Sequence, residues 1–152
     1  MSETAERHKA EAPKKLGFAI FVCSSSRFRE WQKKGKIEDP SGDLILELLE
    51  KAGHNVVLRG VVPDEGAVIR QSVLKALGTD DVDAIITCGG TGVAAKDVTV
   101  EAVRPLLEKE LPGFGELFRR LSYDEIGSAA LMSRTVAGVF KGKAVFVLPG
   151  SP

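Results

Sequence analysis

Two rhythms of apolar positions alternate along this chain of 152 residues, and their succession predicts strands separated by helices. Residues 16–23 (LGFAIFVC) form a continuous apolar run, the pattern of a strand buried on both faces of a parallel sheet. Leu44, Ile45, Leu48, Leu49 and Ala52 then recur at helical spacing, with Asp39 or Ser41 available to cap the start and Gly53 the end. Residues 54–62 are rich in β-branched side chains and meet a turn at Pro63-Asp64. Val68, Ile69, Val73, Leu74 and Leu77 repeat as a second amphipathic helix that Gly78 closes. Residues 84–88 read as a third buried strand, 89–99 as a Gly-rich loop, and the segment beyond as a helix kinked at Pro105. Residues 111–115 (LPGFG) read as a break in the chain, 115–131 as one or two helices, and 136–140 and 144–148 as two closing strands.

Residues 1–15 are polar and charged, too poor in apolar surface to offset the entropy of ordering, and are expected to form a disordered N-terminal tail. Residues 24–40 are polar and basic around Trp31 and read as a long loop or broken helix. Residues 16–152 then make one domain, of a size that supports a single core. Alternating strands and helices argue for an α/β fold with a mostly parallel sheet and helices on both faces, because right-handed crossovers place them there. In such sheets ligands bind beyond the carboxyl ends of the strands. That rule directs attention to residues 24–27, 63–66, 89–99 and 149–152.

Charge and cysteine content narrow the function. Lys+Arg and Asp+Glu both number 21, so no net positive field draws nucleic acid to the chain. No apolar run approaches the ~20 residues of a membrane helix, and the charged N-terminus lacks a secretory h-region, so a cytoplasmic protein is expected. Cys23 and Cys88 make neither a disulfide framework nor a zinc site and read as small buried apolar residues. His8 and His54 form no Ser-His-Asp or His-metal set and read as solvated, which disfavours triad hydrolysis and zinc chemistry.

The strongest local signal is Thr87-Cys88-Gly89-Gly90-Thr91-Gly92, where a buried strand runs into three glycines in four positions. Such a loop turns sharply and presents backbone N–H groups to an anion without Cβ atoms in the way. A P-loop is excluded because no Gly-Lys-Ser/Thr follows. The dinucleotide fingerprint fails because Ala95 stands at its third glycine. A plain strand-to-helix turn is the alternative. Asp64 and Asp97 are each explicable as helix caps, but both follow predicted strand ends, where two carboxylates beside a phosphate-holding loop can share a Mg²⁺. Ser24-Ser25-Ser26-Arg27 offers hydroxyls and a guanidinium to the same anion.

With these segments the chain resembles the MoaB/Mog family of molybdenum-cofactor biosynthesis proteins, the molybdopterin adenylyltransferase-like group. The likeness runs through Asp39-Pro40-Ser41-Gly42, Pro63-Asp64-Glu65, residues 87–92 with Asp97-Val98-Thr99, Leu111-Pro112-Gly113-Phe114-Gly115-Glu116, Ser133-Arg134 and Pro149-Gly150-Ser151-Pro152. It implies a three-layer α/β/α fold, a homotrimer or homohexamer, and a cleft for molybdopterin and ATP with Mg²⁺. It further implies that Asp64 and Asp97 are the catalytic, Mg²⁺-holding carboxylates. Ser24, Ser41, Gly42, Gly89, Gly90, Thr91, Gly92, Thr99, Pro149, Gly150 and Ser151 are the implied ligand-binding positions.

The implied reaction adenylylates the terminal phosphate of molybdopterin, ahead of a metal-insertion enzyme in a molybdenum or tungsten pathway. A non-catalytic molybdopterin-binding scaffold and a CinA-like nucleotide-processing enzyme are the alternatives that the resemblance leaves. The chain departs from the family in having Ser24-Ser25 where members carry Ser-Asp. Members also continue past Pro152, so the domain is expected to lack a final C-terminal helix.

Overall fold

The continuous apolar run at the start of the domain becomes β1 (Gly17–Cys23), whose residues are buried except for the half-buried Phe21. It has a parallel neighbour on each side, β2 (Asn55–Val62) and β3 (Ala84–Cys88). On the far side of β3 lies β6 (Lys143–Leu148), also parallel. Beyond it β5 (Val136–Phe140) and the short β4 (Lys109–Glu110) run antiparallel. The six-stranded order is β2-β1-β3-β6-β5-β4. The computed structural model describes residues 3–150, without the side chains of residues 3, 5, 8 and 9; expectations for Ser151, Pro152 and His8 lie outside the described residues.

Side chains alternate across the sheet, so each strand contributes to two cores. Ala19, Cys23, Ile85, Val145 and Val147 face α4 (Gly66–Leu77) and α5 (Thr99–Val103), where they pack with Ile69, Val73, Val100 and Val103. Phe18, Ala84 and Ile86 face the opposite way, with Phe146 and with Ile45 and Leu49 of α3 (Pro40–Lys51). There α6 (Pro112–Ile126) sets Phe114 against Phe146, ring centroids 5.4 Å apart. Each fully buried Val or Ile contributes roughly 1.5–3 kcal/mol, so both layers are needed to hold the sheet. The result is the expected three-layer α/β/α arrangement. Among the described residues no helix is long and apolar enough to cross a membrane.

Four elements differ from the reading of the sequence. Part of the expected tail at 1–15 forms α1 (Glu3–Glu11), a helix whose described side chains are exposed, with an i,i+4 contact between Arg7 and Glu11 at 4.0 Å. The segment read as a loop or broken helix contains α2 (Ser25–Lys34), capped by Ser24 and closed by Gly35 in the left-handed conformation. Its polar composition hides a helix held by its ends rather than by a buried stripe. The expected break at 111–115 is the first turn of α6: Pro112 takes a first-turn position, where its missing N–H costs nothing, and Gly115 lies against β5, where a Cβ would sit 3.3 Å from the Thr135 carbonyl oxygen. The two-residue β4 is too short to leave a pattern. His54, read as solvated, accepts a bond from Leu16 N at 3.3 Å and packs its ring 5.3 Å from Phe18.

The two cysteines are buried where β1 and β3 end, as expected. Burial pushes the Cys23 thiol up to about 12, and pushes Cys88 up to about 11 with help from Asp39. Both thiols therefore stay protonated in the folded chain at a pH where the unfolded chain ionises them, so folding is weakened as pH rises from about 9. Below that pH their contribution is complete. We predict that stability falls between about pH 9 and pH 11, by up to about 1.4 kcal/mol per pH unit for each thiol, and that Cys23→Ala with Cys88→Ala flattens the decline. Denaturant melts of both proteins across this range check it; identical slopes would refute it.

Candidate functional site

The carboxyl ends of β1, β2, β3 and β6 finish side by side, and the loops that leave them enclose one cleft of about 450 Å³. Register explains the first pairing. Cys23 lies opposite Val62, and Ser24 N donates to Val62 O at 2.8 Å, extending the ladder by one rung. The next residues out are Ser25 and Asp64, which bond reciprocally: Ser25 N donates to Asp64 Oδ2 at 2.8 Å, and Asp64 N donates to Ser25 Oγ at 2.8 Å. Asp64 therefore does not cap the helix that follows it. It holds the first turn of α2, where the helix N-terminus favours a carboxylate, while Glu65 at the start of α4 makes no capping bond.

The Gly-rich loop leaves β3 with φ of +105° at Gly89 and +64° at Gly90, values that side chains rarely adopt. Space demands glycine too. A Cβ on Gly90 would strike Thr99 Oγ1 and lie 3.3 Å from Asp64 Oδ1, and one on Gly150 would lie 2.8 Å from Gly89 Cα. Thr99 is fully buried, and among the described residues its Oγ1 has no hydrogen-bond partner. An orphaned hydroxyl beside the space over Gly90 is a feature that a bound ligand oxygen would satisfy.

Asp97 is the second carboxylate in the cleft. Its Oδ2 accepts from Ala94 N at 3.0 Å, and a Cβ on Gly92 would come within 2.6 Å of it. Like Asp64, it is not the expected cap, since no side chain caps α5. Both acids thus bind a backbone N–H through Oδ2, and among the described residues neither Oδ1 accepts a bond from the protein.

Of the positions expected to bind ligand, Ser24, Asp64, Gly89, Gly90, Asp97 and Gly150 line the cleft, and Thr99 lies beneath it. Thr91 is buried, and Gly92 backs the Asp97 carboxylate. Ser41 reaches the rim by donating to Gly150 O at 3.3 Å. Gly42 and Pro149 do not line it. Gly42 N donates to the buried Asp39 at 3.1 Å, and Pro149 faces a separate depression with Ser133 and α6.

Sequence reasoning missed Arg29 and Lys96, which line the cleft with Arg27 and give it three cations against two carboxylates. Lys96 directly precedes Asp97, a signal that was available; Arg29 needed α2 to be recognised first. Asp39, expected as a possible helix cap, does cap α3 through Gly42 N, and it also ties Arg27 at 3.3 Å and Arg59 at 3.0 Å, which the sequence did not suggest. A larger depression, about 530 Å³, lies by Trp31 and Ile37, but its acids Asp39 and Asp43 are both ion-paired with Arg59. In the strand-end cleft, by contrast, neither carboxylate is ion-paired among the described residues, and each keeps one oxygen that accepts no bond from the protein.

Known proteins resemble this chain over most of its length. A family described as a probable molybdopterin binding domain matches residues 19–152. Molybdenum cofactor biosynthesis protein B of Halalkalibacterium halodurans is 48% identical over 149 residues, 97% of this chain and 84% of that protein. The molybdopterin adenylyltransferase of Pyrococcus furiosus is 40% identical over 150 residues, covering 96% and 84%. A crystal structure of a molybdenum cofactor biosynthesis protein B superposes with a TM-score of 0.83 at 46% identity, over 93% of this chain and 84% of that one. The chain therefore belongs to the molybdopterin-binding domain family of molybdenum-cofactor biosynthesis proteins.

Proposed function

We propose that this protein binds molybdopterin and ATP in the strand-end cleft and adenylylates the terminal phosphate of molybdopterin. A terminal phosphate oxygen attacks the α-phosphorus of ATP, the bond to the β-phosphate oxygen breaks, and pyrophosphate leaves with the bonding electrons. The observation that carries this reading is the placement of Asp64 and Asp97 in one cleft with the Gly89-Gly90 backbone, each carboxylate held by one oxygen and free at the other. The relative from Pyrococcus furiosus, named for this activity, supports it.

The residues present suit this chemistry. A phosphate monoester is already largely a dianion at neutral pH, with a second pKa of about 6, so the attacking group needs no general base. No protein nucleophile is required either, and Cys23 and Cys88 stay protonated and inert at neutral pH. The Gly89-Gly90 backbone provides the close approach that a phosphate needs, and Arg29 and Lys96 offset the charge of a polyphosphate. Transfer of this kind rests on positioning and charge neutralisation.

Mg²⁺ fits the donor set. Among the described residues no group of three or more His, Cys, Asp or Glu side chains is placed to hold a metal. Mg²⁺ is commonly bound by one or two carboxylates together with substrate phosphates, and the free oxygens of Asp64 and Asp97 provide such a pair. When bound, the ion would neutralise charge on the transferring phosphoryl group. The two carboxylates hold their orientation through Ser25 N and Ala94 N without it.

We also infer self-association into a homotrimer or homohexamer. Leu117, Leu121 and Ile126 of α6 and Leu131 and Met132 just beyond are each exposed, and Leu121 and Ile126 share a depression with Phe118, apolar surface that a second copy would cover. Sedimentation at micromolar concentration is expected to give a trimer or larger species. A single monomeric boundary would overturn the assembly and leave the cleft chemistry standing.

Asp64→Asn and Asp97→Asn separate catalysis from local structure, because an amide oxygen still accepts from Ser25 N or Ala94 N while the negative charge is gone. Each variant should retain molybdopterin binding and lose about 10²- to 10³-fold in single-turnover adenylylation at saturating ATP and Mg²⁺. Mass spectrometry identifies the adenylylated pterin and pyrophosphate, and calorimetry reads the binding. Near wild-type rates in both variants would remove the catalytic assignment.

A further inference from the structure

Of the cleft's two acids, Asp64 is fixed by the sheet through Ser25, but Asp97 ends a loop of irregular backbone between β3 and α5. Thr99 N donates to Gly90 O at 3.0 Å and joins the two ends of the loop; the other ties within it are short-range. Asp97 Oδ2 accepts from Ala94 N, and Asp97 N donates to Ala94 O at 2.9 Å, which closes one turn but does not anchor that turn to the domain. The anchor comes from Arg134, in the segment between α6 and β5. Its Nε donates to Thr91 O at 3.0 Å and to Gly92 O at 2.9 Å, and one terminal nitrogen donates to Asp97 O at 3.3 Å. One guanidinium thus spans both ends of the loop.

The guanidinium is itself held. Glu101, one turn into α5, accepts from both terminal nitrogens at 2.5 and 3.2 Å, and the bond to Arg134 draws its carboxyl below the usual range. The arrangement uses a planar fork of fixed directions, with two donors on the carboxylate and the remainder on loop carbonyls. A lysine ammonium carries the same charge but cannot face a carboxylate and three carbonyls in one plane. Structural filling does not account for this geometry, since Arg134 is about a third exposed and lies outside the apolar clusters.

The geometry points to Arg134 as a positioning residue: it clasps the loop from Thr91 to Asp97 and so sets the place of the Asp97 carboxylate, and of Lys96 beside it, in the cleft. This deepens the adenylyl-transfer reading and rests on it for its catalytic half. Arg134 touches no substrate; it acts through Asp97. Removing the fork while keeping the charge should therefore leave molybdopterin binding intact and slow the chemical step, because small misplacements of a catalytic group are costly in rate.

The test uses the full chain with Arg134→Lys. Amide exchange of residues 91–99 should quicken about tenfold, with other segments unchanged. Turnover at saturating substrates should fall on the order of 10- to 100-fold, with little change in the molybdopterin KM. In an Asp97→Asn background the same substitution should cost under about twofold, since groups acting as a unit are not additive. If Arg134→Lys does not fold, Glu101→Gln, which loosens the guanidinium but leaves its loop carbonyls in place, should produce both effects more weakly. Unchanged exchange would overturn the clasp. Faster exchange with undiminished turnover, or full additivity with Asp97→Asn, would overturn the positioning role. Absence of adenylylated product from the wild-type chain would instead overturn the reaction and with it the catalytic half, while the exchange result would still decide the clasp.

Discussion

Everything at the cleft depends on the level at which three parallel strands stop. β1 is the centre: Cys23 pairs with Val62 on one side, and Val22 pairs with Cys88 on the other. The chain leaves β1 toward β2 on one side and leaves β2 for β3 on the other, so connections diverge between β1 and β3 and open a crevice there. The shared level places Ser25 beside Asp64 and Gly89 beside the Cys23 carbonyl, where a Cβ could not fit. A slip of one residue in either pairing would turn alternate side chains to the wrong face of a sheet that is apolar on both. The register that packs the two cores is thus also the one that brings the strand ends of the site level.

Electrostatics then divides the cleft from its floor. Directly below the polar loops lie two buried thiols and the Thr99 hydroxyl, all kept neutral, so little of the charge in the site is set by the core. Charge arrives with side chains at the rim: Arg27, Arg29, Lys96, Asp64 and Asp97. Three cations and two carboxylates are the charges that the proposed polyphosphate and its divalent cation call for, since basic side chains pair with phosphate and carboxylates with such ions. Asp39 keeps one of those cations partly committed by holding Arg27 from behind.

Much of this was legible in the sequence, and the pattern of success follows the physics. Strands β1, β3, β5 and β6 carry apolar or β-branched runs that have no competing explanation, and glycines at 89 and 90 announce a backbone that side chains would obstruct. Both carboxylates were found because strand ends are where such sheets bind ligands. The segment of α2 reads only as a long loop or broken helix because it buries no residue and is held by Ser24, Gly35 and a carboxylate from the loop after β2, none of which leaves a periodic signal. For the same reason Arg29 was missed. Glycines at 113 and 115 were taken as a break because local propensity outweighs, in a sequence, the close approach of α6 to Thr135 that only the tertiary structure supplies.

The two acids also differ in what holds them, and this difference bears on how the site can work. Asp64 belongs to the sheet edge, with its carboxylate bonded into the first turn of a helix and its backbone bonded to Ser25; moving it would disturb β1, β2 and α2 together. Asp97 belongs to a loop closed by one backbone bond between Thr99 N and Gly90 O, by one local turn and by one guanidinium, and that guanidinium is partly exposed. Stability is not uniform across a structure, and segments with few buried contacts open at lower free energy than the core. The cleft thus pairs one rigid carboxylate with one that can yield. The proposed reaction brings two substrates into a space of about 450 Å³ and releases two products from it, so adjustment of the cleft in that reaction falls to the Gly90–Asp97 side, while the sheet side keeps the reference position.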